Sequence, residues 1–411
     1  MTRREEEKDW GRFTVYGNDE VEEVICKQMR YVADKVIDRF VSENLVALIL
    51  LGGYGRGEGG VVERQGRLMP HNNFDFCLIF DGVPISKRYQ LEAAAHELSI
   101  ELPKKLGVGC DFSVLDSAYL RDAPPFVIWF DMKYAHKVII GDSRILESMP
   151  ERTASDILLA DAARLLLNRG TLLAINELIF KQRGENLTVS DKETIIKHTV
   201  KGIIGYGDAV LLAKGKYHQS YVEKARRFKS VDLTGVPNKA KLRQLYGTAA
   251  EFRFKPDYET YLKKDLLKWR GELVEAFEPI HLWFESVRLG KNLTWEGYLE
   301  TLSEHREARP VFSSSKQKLK AAIKPFYFFL KNSIKFGPWL NRWQFRHPKD
   351  RLLAIFPAVI YPNLPMFYKK QLSKLTGSRD TENMLPIFLR LWGELGDSNF
   401  LHVLNKLKLT L

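Results

Sequence analysis

The sequence predicts an α+β protein, with strands and helices alternating through residue 142 and a mainly α-helical half after it. Three observations lead there. A run of seven apolar residues, Leu45–Leu51, enters a loop with six glycines between positions 52 and 60. Two later apolar segments, Phe74–Phe80 and Val108–Leu115, each enclose a single acid, Asp75 and Asp111. From Ala154 onward, apolar residues recur at helical spacing and strand signals become few.

The first helix is expected from Glu20 to about Val41, where apolar residues follow a helical period. Leu45–Leu51 is apolar throughout, as befits a strand covered on both faces. Phe74–Phe80 and Val108–Leu115 read as further strands, and Arg88–Lys105 between them as a helix ending near Gly107. After the Pro124-Pro125 turn, Lys137–Ile140 is a short strand closed by Gly141-Asp142. Helical patterns then cover Ala154–Phe180, Asp191–Lys214, Lys239–Gly271, Glu272–Val287 and Thr294–Glu304. Ser313-Ser314-Ser315 reads as a linker or helix start, and a last set of helices runs from Asn363 to Leu411. This gives three expected domains, at residues 1–150, 151–312 and 313–411. No fixed-period repeat supports a solenoid.

Composition narrows the class. A 411-residue chain with 45% hydrophobic and 28% charged residues fits a globular protein of two or three domains. Its three cysteines, Cys26, Cys77 and Cys110, are far apart and form no CxxC pair, which argues against structural zinc and fits a reducing compartment. The charged start is no secretory signal, and no apolar run reaches membrane-spanning length. A cytoplasmic protein is expected. The net charge of +12 is concentrated: ten lysines and arginines against the single Asp350 lie between Lys316 and Arg351, a local excess of +9. Phe326, Tyr327, Phe328, Phe329, Phe336, Trp339, Trp343 and Phe345 are interleaved with them. Basic residues among aromatics suit an anionic membrane surface or another polyanion, with peripheral attachment, or a helical core with snorkelling lysines.

The glycine loop and the two acids occur in an order that suits phosphoryl-group chemistry. Glycines let backbone amides approach phosphate oxygens, and acids on neighbouring strands can hold a divalent cation completed by water and phosphate. Gly55-Arg-Gly-Glu-Gly-Gly60 formally matches a dinucleotide fingerprint. That motif must open a helix, and Gly66 and Pro70 break the segment that follows. No GxxxxGK[ST] Walker loop occurs.

Gly52-Gly53-Tyr54-Gly55-Arg56-Gly57-Glu58, with Pro70-His71-Asn72-Asn73-Phe74-Asp75-Phe76 after it, resembles the signature of the polymerase-β-type nucleotidyltransferase superfamily. The glycine loop is of the kind found in bacterial PII uridylyltransferases. The likeness covers roughly Leu45–Leu115. It implies a mixed sheet with flanking helices, two Mg²⁺ ions, and transfer of a nucleoside monophosphate from an NTP such as ATP to an acceptor hydroxyl. Gly52 and Gly53 would hold the triphosphate, Asp75 would bridge the metals, and Asp111 would hold the catalytic metal and help deprotonate the acceptor. Asn73 stands where the family has the first Asp of its pair, so the site carries one negative charge fewer. The alternative this opens is a weakened nucleotide-binding or scaffold protein with a basic docking surface.

Three further groups are candidates. Arg56 is a phosphate-stabilising cation or a solvent-facing arginine. Lys197, Lys201 and Asp208 fall within about 40° of one another on the Asp191–Lys214 helix at ~100° per residue, as nucleotide contacts or a solvated charge stripe. Asn168 and Arg169 are a weaker pair, and Tyr217 is a base-stacking or core ring.

Overall fold

The computed structural model describes residues 9–305, 315–337, 342–376, 383–397 and 399–411. The start Met1–Lys8, the linker residues Ser313 and Ser314, and Trp339 lie outside them. The chain forms an α+β structure, with a mixed four-stranded sheet and a helical C-terminal half.

The strands are β1 (Leu45–Leu51), β2 (Val61–Arg64), β3 (Arg67–Pro70), β4 (Phe74–Phe80), β5 (Cys110–Asp116) and β6 (Lys137–Ile140). The main sheet has the order β5-β4-β1-β6. β1 runs antiparallel to both β4 and β6, and β4 pairs with β5 in parallel. Alternation sends Leu48, Leu50, Phe74, Phe76, Leu78 and Phe80 to one face. There they pack with Val21, Ile25, Met29, Val32 and Val36 of the helix Asp19–Arg39. Ala47, Ile49, Cys77 and Ile79 face the other side, against Met132, Leu146 and Met149. Burial on both faces is why β1 and β4 are apolar almost without interruption.

The segment that disqualified the dinucleotide fingerprint is a β-hairpin. β2 and β3 pair with Arg64 opposite Arg67, and Gln65 and Gly66 make the turn at φ 52° and 75°. Two consecutive positive φ values belong to a type I′ turn, whose twist matches the strands it joins. The helix expected at Arg88–Lys105 runs instead over Ile85–Glu101. Pro103 then starts a separate turn, Pro103–Leu106, and Gly107 closes it in the left-handed region.

The chain divides into two compact units: Met1–Ile157 with Lys216–Ser230 and Ala250–Asp257, and Leu158–Gly215 with Val231–Ala249 and Tyr258–Leu411. The two short excursions into the first unit come from what reads in the sequence as the helical half. In the second unit the helices Leu159–Arg183 and Val189–Ala213 pack together, the latter started by a Thr188–Asp191 capping box. Leu266–Leu289, Trp295–Glu304, Ser315–Phe336, Asp350–Ile360 and Met384–Leu395 are further helices of it, and most of Lys239–Phe254 belongs to it as well. Among the described residues no helix is long and apolar enough to cross a membrane.

Candidate functional site

β1, β4 and β5 end or begin at the same edge of the sheet, and their register sets the candidate site. Leu51, the last residue of β1, is opposite Asp75, and Asp75 is opposite Asp111. Neighbouring strands lie about 4.8 Å apart and register partners share a face, so the two carboxylates stand side by side. Asn73, two residues before Asp75, falls on that face as well. Its Nδ2 donates to Asp111 Oδ2 at 2.9 Å. Asp75 is half-buried, whereas Asp111 and Asn73 are exposed. Asp111 thus sits at the solvent edge of the sheet, although its strand neighbours Cys110 and Phe112 are apolar.

The glycine loop begins beside these acids. Gly52 has φ +66°, and a Cβ there would lie 2.1 Å from Asp75 Oδ2. A glycine takes this positive φ at no steric cost and makes room for the Asp75 carboxylate to lie against the backbone. Gly52–Gly55 forms a single helical turn. Beyond it the backbone is committed inward: Arg56 N donates to Gly52 O, Gly57 N to Tyr54 O, Glu58 N to Gly53 O and Gly59 N to Phe13 O. A phosphate role for this loop therefore rests on its first residues, Gly52 and Gly53. Tyr54 ties the loop to the segment that leads into β4. Its hydroxyl donates to Gly60 O at 2.7 Å and accepts from His71 N at 2.9 Å, two residues before Asn73.

Arg56 is not at the surface. Its side chain is 8% exposed, 3.6 Å from Glu58 and 3.5 Å from Asp131. Burial works against its charge, yet Asp131, then Tyr221 and Glu58, keep its pKa above the ordinary guanidinium value. Glu58, equally buried, accepts from Ser220 Oγ, from Tyr221 N at 2.8 Å and from Val222 N at 3.2 Å. It thereby caps the start of the helix Tyr221–Ser230 with a carboxylate. Tyr217 is a core residue whose hydroxyl donates to Asp131 at 3.1 Å. The two charges of the glycine motif that look most available in the sequence are thus built into the unit's interior.

A cation absent from the sequence reading takes the position beside the loop. Arg253 brings an Nη atom within 3.6 Å of where a Cβ of Gly53 would be, while its guanidinium lies 4.3 Å from the Tyr221 ring centre. It comes from Ala250–Asp257, two hundred residues beyond Gly53, and no local motif marks it. Lys224, also buried, lies 3.4 Å from the same ring centre.

The candidates on Val189–Ala213 belong to the second unit. Lys201 is exposed; Lys197 is half-buried, 5.6 Å from the Tyr258 ring centre. Asp208 is buried and accepts from Tyr246 Oη at 2.6 Å. The three do not form a uniform solvated stripe. Asn168 is exposed, and Arg169 packs its aliphatic stem where Gly205 has no side chain.

Among the described residues no group of three or more His, Cys, Asp or Glu side chains is arranged to hold a metal ion. The donor set at the sheet edge is two carboxylates and an amide. That suits a hard cation which keeps waters and phosphate oxygens in its shell, and it does not suit an all-protein cage. The nearby thiol offers no alternative chemistry: burial, then Asp111 and Asp75, push Cys110 up to about 12.

No family model matches the chain, and no solved structure matches it. Among curated proteins, the bifunctional uridylyltransferase/uridylyl-removing enzyme of Cupriavidus metallidurans (strain ATCC 43123 / DSM 2839 / NBRC 102507 / CH34) is 29% identical over 149 residues. The match takes in 35% of this chain and 16% of that relative. It is a distant likeness to a nucleotidyltransferase, confined to part of each protein.

Proposed function

We propose that the first unit is a metal-dependent nucleotidyltransferase that moves a nucleoside monophosphate from an NTP to an acceptor hydroxyl. The observation that carries this reading is the row Leu51–Asp75–Asp111, with Asn73 on the same face and Gly52 set against the Asp75 carboxylate. The distant likeness to a uridylyltransferase supports the same chemistry.

Asp75 and Asp111 would hold the magnesium, with Asn73 as a neutral neighbour. Magnesium, when bound, neutralises phosphate charge and favours attack at phosphorus. Gly52 and Gly53 would receive the triphosphate, and Arg253 would supply the positive charge for which Arg56 was one candidate. The acceptor oxygen bonds to the α-phosphorus as the bond to pyrophosphate breaks, and Asp111 takes the hydroxyl proton. Asp111 is exposed and at the strand edge, so an incoming hydroxyl can reach it.

A second reading, a catalytically weakened nucleotide-binding protein, is favoured by one observation. Asn73 directs its amide nitrogen to Asp111, so it lends that carboxylate a hydrogen bond in place of the charge a second acid would add. Magnesium-dependent pyrophosphate release from each NTP, with a cell extract as the source of acceptor, distinguishes the two. The enzyme reading expects release by the wild type and background levels for Asp111→Ala. Release gained only in Asn73→Asp supports the weakened form. Release unaffected by Asp111→Ala rejects the site.

A further inference from the structure

We infer that the helix Ser315–Phe336 is a membrane-surface element that lays one apolar face onto an anionic phospholipid bilayer. The inference is independent of the chemistry assigned to Asp75 and Asp111. Ile323, Phe326, Tyr327, Leu330 and Ile334 are exposed by 55%, 62%, 55%, 49% and 88%. At ~100° per residue they fall within one arc of about 100°. Lys324, Lys331 and Lys335 lie on a single flank of that arc, centred about 100° round the helix from it. No acidic residue occurs between Ser315 and Phe336.

The stripe is not a core face left open by chance, because another face already anchors the helix. Asn332, fully buried, donates to the carbonyls of Trp343, Gln344 and Arg346. Phe336 is buried with the Arg351 guanidinium 4.1 Å from its ring centre, and Phe329 stacks on Phe345 at 5.0 Å. Much of the wider basic window turns inward in the same way. Arg351 is buried and donates to Leu375 O and Gln344 Oε1, and Arg346 pairs with Asp350 and donates to Leu302 O and His305 O. Arg342 pairs with Glu304, and Lys335 has Glu394 as a neighbour. Among the residues whose side chains are described, the surface charge that remains beside the stripe is chiefly that of Lys324 and Lys331.

A helix with an exposed apolar face and a lysine flank suits the boundary between headgroups and acyl chains. The apolar side chains enter the hydrocarbon edge while the ammonium groups meet lipid phosphates. Three of the five stripe residues are aliphatic, which suits acyl chains and gives nucleic-acid bases little to stack on. A second copy of the same face would bring lysines against lysines with no acid on the helix to answer them.

Vesicle flotation with the full chain tests the inference, using phosphatidylcholine vesicles with and without phosphatidylglycerol. We expect binding to the anionic vesicles that weakens with salt. The pair Lys324→Glu and Lys331→Glu should weaken it by at least about 25-fold, from about fivefold per lysine. Phe326→Ser with Ile334→Ser should weaken it by at least tenfold, on the order of the loss of two buried apolar side chains, while Ile334→Trp strengthens it. All these positions are exposed, so unchanged melting of the variants certifies the fold. Several outcomes overturn the inference: equal binding to both vesicle types, no binding, or binding that the serine pair leaves unchanged. So does a dimer abolished by the serine pair, or single-stranded RNA bound in place of vesicles.

Discussion

Two sets of charged residues in the first unit end in opposite environments. Arg56 and Glu58, from the glycine loop, are buried, and with Asp131 they tie the loop to the segment at Tyr217–Val222. Asp75 and Asp111, from apolar strands, stand half-buried and exposed at the sheet edge, with Asn73 alongside. Sequence context suggests the reverse, because loops read as exposed and apolar strands as buried. The difference shows that charge inside this unit serves architecture, while the charge at its edge is the charge proposed to meet a ligand. Substitutions in the two sets should therefore separate stability from chemistry.

The largest effect is expected at Glu58. Glu58→Ala removes the acceptor of three helix-starting donors and one of the two acids near buried Arg56. It should cost about 3–5 kcal/mol in chemical denaturation. A loss below about 1 kcal/mol, the range of a surface pair, would dissolve the comparison.

Next comes a buried titratable group of the second unit, His281, which burial keeps neutral. Burial holds His281 down to about 4, against the smaller opposing pull of Glu285. Its Nδ1 contacts Tyr361 Oη at 2.9 Å. Above pH ~6.5 the imidazole is neutral whether folded or unfolded, so stability is full there. Between pH ~6.5 and about 4 the unfolded chain takes up the proton first, so stability falls, by at most ~3 kcal/mol from this residue. Denaturation of His281→Asn at pH 7 and pH 4.5 should show a smaller acid loss than the wild type. An identical loss would remove His281 from the account.

Gly52→Ala should lower stability by about 1–3 kcal/mol through its positive φ, and reduce pyrophosphate release by displacing Asp75. Arg253→Ala should raise KM for the NTP by about tenfold or more with kcat less affected, on the order of one lost charge-assisted hydrogen bond. The reverse split would make Arg253 structural only. The smallest effect is at Lys201, where exposure predicts that Lys201→Ala moves stability by less than about 0.5 kcal/mol.

Much of the sheet was legible. β1, β4 and β6 fall on the expected residues because an apolar run bounded by Gly, Asp or Pro leaves few alternatives. Asn73, Asp75 and Asp111 were legible as a set because period-two alternation puts them on one face once β4 and β5 pair in register. The hairpin at Gln65-Gly66 was visible only as the absence of a helix. The helix Tyr221–Ser230 was missed because it is short and half its residues are charged, and its start depends on Glu58, over 160 residues earlier. Arg253 was missed for the same reason: only the folded chain brings Ala250–Asp257 to Gly53. The burial of Arg56 also depends on partners, Asp131 and Tyr221, that no local window contains.

The central claim is that the acids at the sheet edge are there for a divalent cation and not for the fold. The most direct measurement is Mn²⁺ binding by electron paramagnetic resonance, with a non-hydrolysable NTP present. It compares the wild type with Asp111→Asn and records the melting temperature of both. The account predicts saturable binding by the wild type, loss of that binding in Asp111→Asn, and melting temperatures within about 2 °C of each other, as for an exposed side chain. Equal Mn²⁺ binding by both proteins, or a variant that unfolds where the wild type holds, would contradict it.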